Sequence, residues 1–65
     1  MVSKLKLKRI ELGIKQKNLA QQVGITPQYL MKLEQGKAKN PSVDLMKRLA
    51  DSLNCTVQEL FFNED

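Results

Sequence analysis

Residues 16–35 read QKNLAQQVGITPQYLMKLEQ, and the fold of the chain turns on how this stretch is parsed. Leu19, Ala20 and Val23 share one face of a helix running from about Gln16 to Val23, and Gly24 stops it. Ile25 then points back toward a core, Thr26 is a good N-cap, and Pro27 suits a first helical position, where its missing N–H costs nothing. A second helix follows to about Glu34, with Leu30 and Leu33 inward. Gln28, Met31, Lys32 and Gln35 are left outward, with Tyr29 at the margin. The apolar residues Leu19, Val23, Ile25, Leu30 and Leu33 fall where two helices crossing at about 90–120° must touch. Ala20 is small where the helices come closest, and Gly24 permits the positive φ of a tight turn. An ordinary helical hairpin would also need small residues at Ala20 and Gly24. Gln28 and Lys32 argue for more than packing: four residues apart, they project together from the outer face of the second helix.

Working outward, residues 2–12 form a first helix with Leu5 and Leu12 on one face, closed by Gly13. Arg9 falls between those leucines and needs a partner, because an unpaired buried guanidinium is too costly to keep. Beyond Glu34, Gly36 closes the helix and residues 37–41 make a polar, basic loop. Ser42 caps a fourth helix reaching about Leu53, in which Val43, Leu45, Met46, Leu49, Ala50 and Leu53 supply a broad apolar face. Asn54 can terminate it in the left-handed region. Thr56 and Glu59 have capping-box spacing, so a short fifth helix is predicted over about Val57–Phe61. Only Lys4–Lys8 alternates enough to resemble a strand. The expected fold is all-α, with five helices in one domain spanning residues 1–65 and neither repeat nor linker.

The 65 residues include no histidine and one cysteine. No cluster of carboxylates or cysteines could hold a metal and no glycine-rich loop could hold a phosphate cofactor, so no enzyme activity, cofactor or small-molecule ligand is expected. Cys55 reads as a small core residue. No apolar run approaches the roughly 18 residues of a membrane span, and residues 1–10 lack a signal peptide's apolar centre, so a cytoplasmic protein is expected. Charge is unevenly spread. Residues 1–40 carry nine basic side chains against two acidic ones, +7, while residues 41–65 carry two basic against five acidic, −3, together giving the net +4. A basic half joined to an acidic half suggests one surface that meets a polyanion and another that meets solvent or a partner.

With these residues in view, the chain resembles the XRE-type helix-turn-helix regulators, the repressor and Cro family of temperate phages. The likeness extends over about Leu5–Phe61. It is carried by Arg9 and Gly13, by Gln16, Leu19, Ala20 and Gly24, by Glu34 and Gly36, by Pro41 and Ser42, and by Leu49, Ala50 and Leu53 ahead of Cys55. It implies a lambda-repressor-like domain with the helix-turn-helix at helices 2 and 3. By the same resemblance, Gln16 bonds a DNA phosphate and braces the reading helix, and Pro27, Gln28, Tyr29 and Lys32 face the major groove. The loop Lys37–Asn40 runs along the DNA backbone, and Arg9 and Glu34 form an internal ion pair. Three positions depart from the pattern. Lys15 stands where a capping Ser, Thr or Asn is usual and opposes the helix dipole. Asn54 replaces a common glycine. Pro27 replaces a residue that is often polar, so its base contact must be apolar, as with a thymine methyl.

The function expected is that of a sequence-specific regulator of double-stranded DNA, a repressor, reading with helix 3. Gln16, Lys17, Lys37, Lys39 and Asn40 would hold phosphates, and the start of the fourth helix at Ser42 would add a backbone N–H. Gln can bond an adenine edge bidentately and Lys can donate to guanine. A symmetric homodimer is expected, with Leu60, Phe61 and Phe62 as candidate contacts, because a helix cannot turn all three toward so small a core. The competing reading is a protein-interaction module, such as an antitoxin or an antirepressor partner.

Overall fold

The computed structural model describes residues 3–38 and 41–62. Five helices follow in chain order: α1 (Lys4–Glu11), α2 (Gln16–Val23), α3 (Pro27–Glu34), α4 (Val43–Ser52) and α5 (Val57–Phe61). No strand occurs among the described residues, and Lys4–Lys8 is helical. α2 packs on α3 and α4, while α5 packs on α4 and α1, and α1 also touches α3.

Four of the five helices start on a side-chain oxygen that accepts a backbone N–H three residues on: Ser3, Thr26, Ser42 and Thr56. Each such cap contributes on the order of 1 kcal/mol by satisfying a donor the helix itself cannot reach. At α5 the capping box closes both ways, with Thr56 Oγ1 accepting from Glu59 N and Glu59 Oε1 accepting from Thr56 N, each at 3.1 Å. α2 is the exception. Lys15 occupies its N-cap position and makes no capping hydrogen bond.

Four of the five helices, α1 to α4, stop at or just before a left-handed residue: Gly13, Gly24, Gly36 and Asn54. Gly24 (φ 78°) lets the Ile25 N–H turn back to the Ala20 carbonyl at 2.9 Å, and Asn54 (φ 56°) lets the Cys55 N–H reach the Ala50 carbonyl at 3.0 Å. These closures satisfy carbonyls that the helix leaves open and reverse the chain within two residues.

The core is built from leucines with small residues at the close approaches. Leu19, Leu30, Leu49 and Leu53 are wholly buried, and Ala20 lies between α2 and its neighbours with no exposed surface. Each fully buried leucine contributes about 1.5–3 kcal/mol. Three expectations require correction. Leu12 does not share the inner face with Leu5; it caps the end of α1 and is 40% exposed, and Ile14, past the turn, packs on the core instead. Leu12 lies seven residues, about 10 Å, along the axis from Leu5 and has overrun the edge of the core. Val43 is 61% exposed although Leu45, in the same first turn of α4, is buried, and Met46 is only half-buried, so the inward face of α4 is narrowed to Leu45, Leu49, Ala50 and Leu53. Leu60 is buried in the core and therefore is not a surface available to a second subunit.

Candidate nucleic-acid interface

The outer face of α3 presents Pro27, Gln28, Met31 and Lys32 to solvent, while Tyr29 is half-buried against the core. Neither the Gln28 nor the Lys32 side chain has a hydrogen-bond or ion-pair partner among the described residues, so both keep their full bonding capacity. One turn apart on one helix, they form a pair of polar arms on a rigid mount.

What makes the mount rigid lies behind it. Glu34, in the last turn of α3, has a side chain with 2% of its surface exposed, and its negative charge sits at the wrong end of the helix dipole. Such a carboxylate needs compensation. Arg9 of α1 supplies it through two parallel bonds, Nε to Oε2 at 2.6 Å and Nη2 to Oε1 at 3.1 Å, while its Nη1 donates to the Ile14 carbonyl at 2.9 Å. Gln16, the first residue of α2, adds a third bond by donating Nε2 to Glu34 Oε1 at 3.1 Å. One buried carboxylate thereby ties together α1, the start of α2 and the end of α3. No buried side-chain polar atom among the described residues lacks a partner, so the network is fully satisfied.

Gln16 has a second amide proton that this network does not use. It sits at an uncapped helix start, with the exposed ammonium groups of Lys15 and Lys17 on either side. The backbone N–H groups of that first turn have no side-chain acceptor, and a helix start of this kind favours an anion. Lys15 therefore belongs with the candidate phosphate-binding residues; in the sequence it stood out only as a poor cap.

Beyond Glu34 the chain is held close to α3. Gly36 (φ 73°) turns it, and the Lys37 N–H bonds the Lys32 carbonyl at 2.8 Å, leaving the Lys37 side chain exposed. Because Gln16 touches Glu34, the start of α2 and this basic loop lie beside the same end of α3. Lys39 and Asn40, expected along a DNA backbone, lie outside the described residues. The Ser42 oxygen accepts from Leu45 N at 3.1 Å, a cap that uses a lone pair and leaves the hydroxyl proton free to donate.

The chain matches the helix-turn-helix family over residues 5–60, nearly its whole length. It belongs to the XRE-type helix-turn-helix family. Membership implies DNA binding, since these are transcriptional regulators. An HTH-type transcriptional regulator, SlrR of Bacillus subtilis, is 35% identical over 57 residues, covering 88% of this chain and 38% of SlrR. An uncharacterized HTH-type transcriptional regulator of Archaeoglobus fulgidus is also 35% identical over 57 residues, covering 88% of this chain and 80% of that protein. Among solved structures, the clp gene regulator ClgR of Corynebacterium glutamicum superposes with a TM-score of 0.82 at 25% identity, covering 91% of this chain and 62% of that one. SinR, solved in a complex with the SinI protein, gives 0.79 at 28% identity over 88% of this chain and 55% of that one. The five-helix arrangement is thus lambda-repressor-like. The chain spans about two fifths of SlrR and little more than half of the SinR chain.

Two features of this XRE-type domain lie away from α3. An open hollow of about 240 Å³ between α4 and α5 is lined by Pro41, Met46, Phe61 and Phe62. Phe61 leans on the core, whereas Phe62 is 61% exposed. Cys55 is half-buried at the junction of α4 and α5, where burial first and the Glu59 carboxylate second push its thiol pKa upward. A raised thiol holds its proton and is a poor nucleophile. No helix among the described residues is long and apolar enough to cross a membrane.

Proposed function

We propose that residues 1–65 act as one sequence-specific double-stranded DNA-binding domain that lays α3 in the major groove and represses transcription from the sites it occupies. The observation that carries the reading is the contrast on α3: unpartnered Gln28 and Lys32 outside, and a buried three-helix clamp on Glu34 behind. Fixed arms of this kind can discriminate bases, with Gln28 suited to adenine and Lys32 to guanine. Pro27 and Tyr29 support them with apolar contact. Gln16, Lys15, Lys17, Lys37 and the backbone at Ser42 hold phosphates and set the register, joined by Lys39 and Asn40. Such a regulator works in the cytoplasm, with the DNA.

One domain of this size covers few base pairs, so the working unit is a symmetric homodimer on half-sites about one helical turn, roughly 34 Å, apart. Its contact surface is the apolar hollow at Phe61 and Phe62. There the exposed Phe62 ring joins Pro41, Met46 and Phe61 in one apolar patch, the kind of surface a second subunit can cover.

Selection of bound sequences from random duplex tests the whole reading. The expected result is a palindrome whose half-sites change when Gln28 or Lys32 is replaced. Affinity should fall with salt by about 0.9 log units per log unit for each phosphate held. A chain that enriches no sequence and binds duplex only weakly refutes the proposal. That result would favour a protein-interaction module, a reading suggested by the SinR neighbour, which was solved with a protein partner. The sign of regulation is read from a reporter with the selected site across its promoter, where repression is expected.

A further inference from the structure

Arg48, on the solvent side of α4, is half-exposed yet held at both ends of its guanidinium. Its Nη1 donates to the Val23 carbonyl at 2.7 Å, across 25 residues of sequence, and its Nε pairs with Asp44 Oδ2 at 3.2 Å, one turn earlier on α4. Val23 is the last residue of α2, and the closure at Gly24 uses the Ala20 and Gln21 carbonyls. The Val23 carbonyl would otherwise face solvent at the negative end of the helix dipole. Arg48 also covers the turn from outside, since a Cβ added at Gly24 would sit 3.4 Å from the same Nη1.

We propose that Arg48 is a positioning residue for base reading: it clamps the α2–α3 turn onto α4 and so sets where the first turn of α3 lies. The geometry supports this directly. Glu34 anchors the far end of α3, while the near end, with Pro27 and Gln28, is separated from Val23 by only Gly24, Ile25 and Thr26. The bond to the carbonyl is charge-assisted and carries the clamp, while Asp44, itself exposed, adds only a surface pairing on the other side of the guanidinium. A loose near end would let Gln28 swing against its base while every phosphate contact stayed intact. Discrimination would then fall before general affinity does.

The DNA arm of the test rests on the function proposed above; a second arm does not. Arg48→Met keeps the length and removes the donors, and Arg48→Lys can still donate once to the carbonyl. Both are measured on the full chain at a temperature where circular dichroism shows each folded. In the free protein, Arg48→Met should shift the amide resonances of Gly24–Thr26 and of the first turn of α3, and speed exchange of the Ile25 N–H, while α5 stays unchanged. On DNA, its preference for the selected site over random duplex should fall about tenfold, with Arg48→Lys recovering much of the loss. The salt dependence should not change. Loss of about 0.9 log units of salt slope would mean that Arg48 itself holds a phosphate, and would overturn the proposal. A preference kept within about twofold by Arg48→Met overturns it too. So does an Arg48→Lys variant that falls as far as Arg48→Met. If the native chain selects no sequence, the DNA reading fails, and the amide arm decides alone: unmoved α3 resonances overturn the clamp, and moved ones support it.

Discussion

Replacing Glu34 with glutamine keeps the shape of the side chain and removes its charge, in a place where the structure leaves no room for that exchange. Oε1 accepts from both Arg9 Nη2 and Gln16 Nε2, and Oε2 accepts from Arg9 Nε. Whichever way the new amide is turned, its NH₂ faces at least one of these donors. The Arg9 guanidinium, with only 11% of its side chain exposed, is left without a counter-charge. Removing one member of a buried pair costs about 3–5 kcal/mol. A chain of this length has a total stability of roughly 3–10 kcal/mol, so the variant stands near the edge of folding. At about 4–8 °C per kcal/mol, the thermal midpoint should drop by at least 12 °C. Urea titration followed by circular dichroism measures the loss directly. The paired variant Arg9→Met with Glu34→Leu removes both charges and should regain most of the stability. It should still bind random and selected duplex more weakly, because Gln16 loses the carboxylate that holds it. A Glu34→Gln loss below about 1 kcal/mol would show that the pair is solvated like a surface salt bridge, and the account of a braced reading helix would be wrong.

Gln28→Ala should reduce discrimination at one base pair per half-site by about 1–3 kcal/mol in competition binding; an equal loss on every sequence would make Gln28 a phosphate-positioning residue instead. Lys15→Ser supplies the missing cap of α2 and should raise stability in urea by about 0.5–2 kcal/mol, while weakening binding to random and selected duplex alike. No gain in stability would mean that the first turn of α2 is already satisfied by water. Phe62→Ser should shift the sedimentation equilibrium toward monomer and weaken binding to a palindrome far more than to a single half-site; an unaltered dimer would move the contact elsewhere.

Much of the fold was legible because its signals are local. Thr26, Ser42 and Thr56 each cap a helix by reaching three residues ahead, and Gly24 and Asn54 turn the chain within two residues, so short windows of sequence contain both partners of each interaction. Ser3 caps α1 by the same rule and could have been found by it. Side chains at helix ends were less legible. Leu12 has the right periodicity for a core, but periodicity gives a direction around the axis and says nothing about how far along it the neighbouring helix extends. The same limit hid the burial of Leu60, whose inward turn depends on where α1 crosses α5.

Local rules were enough to place the five helices, most of their starts and stops, and the pair of polar arms on the outer face of α3. Even the ion pair of Arg9 with Glu34 was reached through family likeness, since their separation of 25 residues is invisible to local rules. Tertiary structure decided which groups back the reading helix: that Gln16 shares the buried carboxylate, and that Arg48 spends its guanidinium on the turn at Val23. The reason is physical. A cap is chosen by the chain's own stereochemistry, whereas a backbone carbonyl accepts from any donor brought to it, and only the packing of α4 on α2 brings Arg48 there.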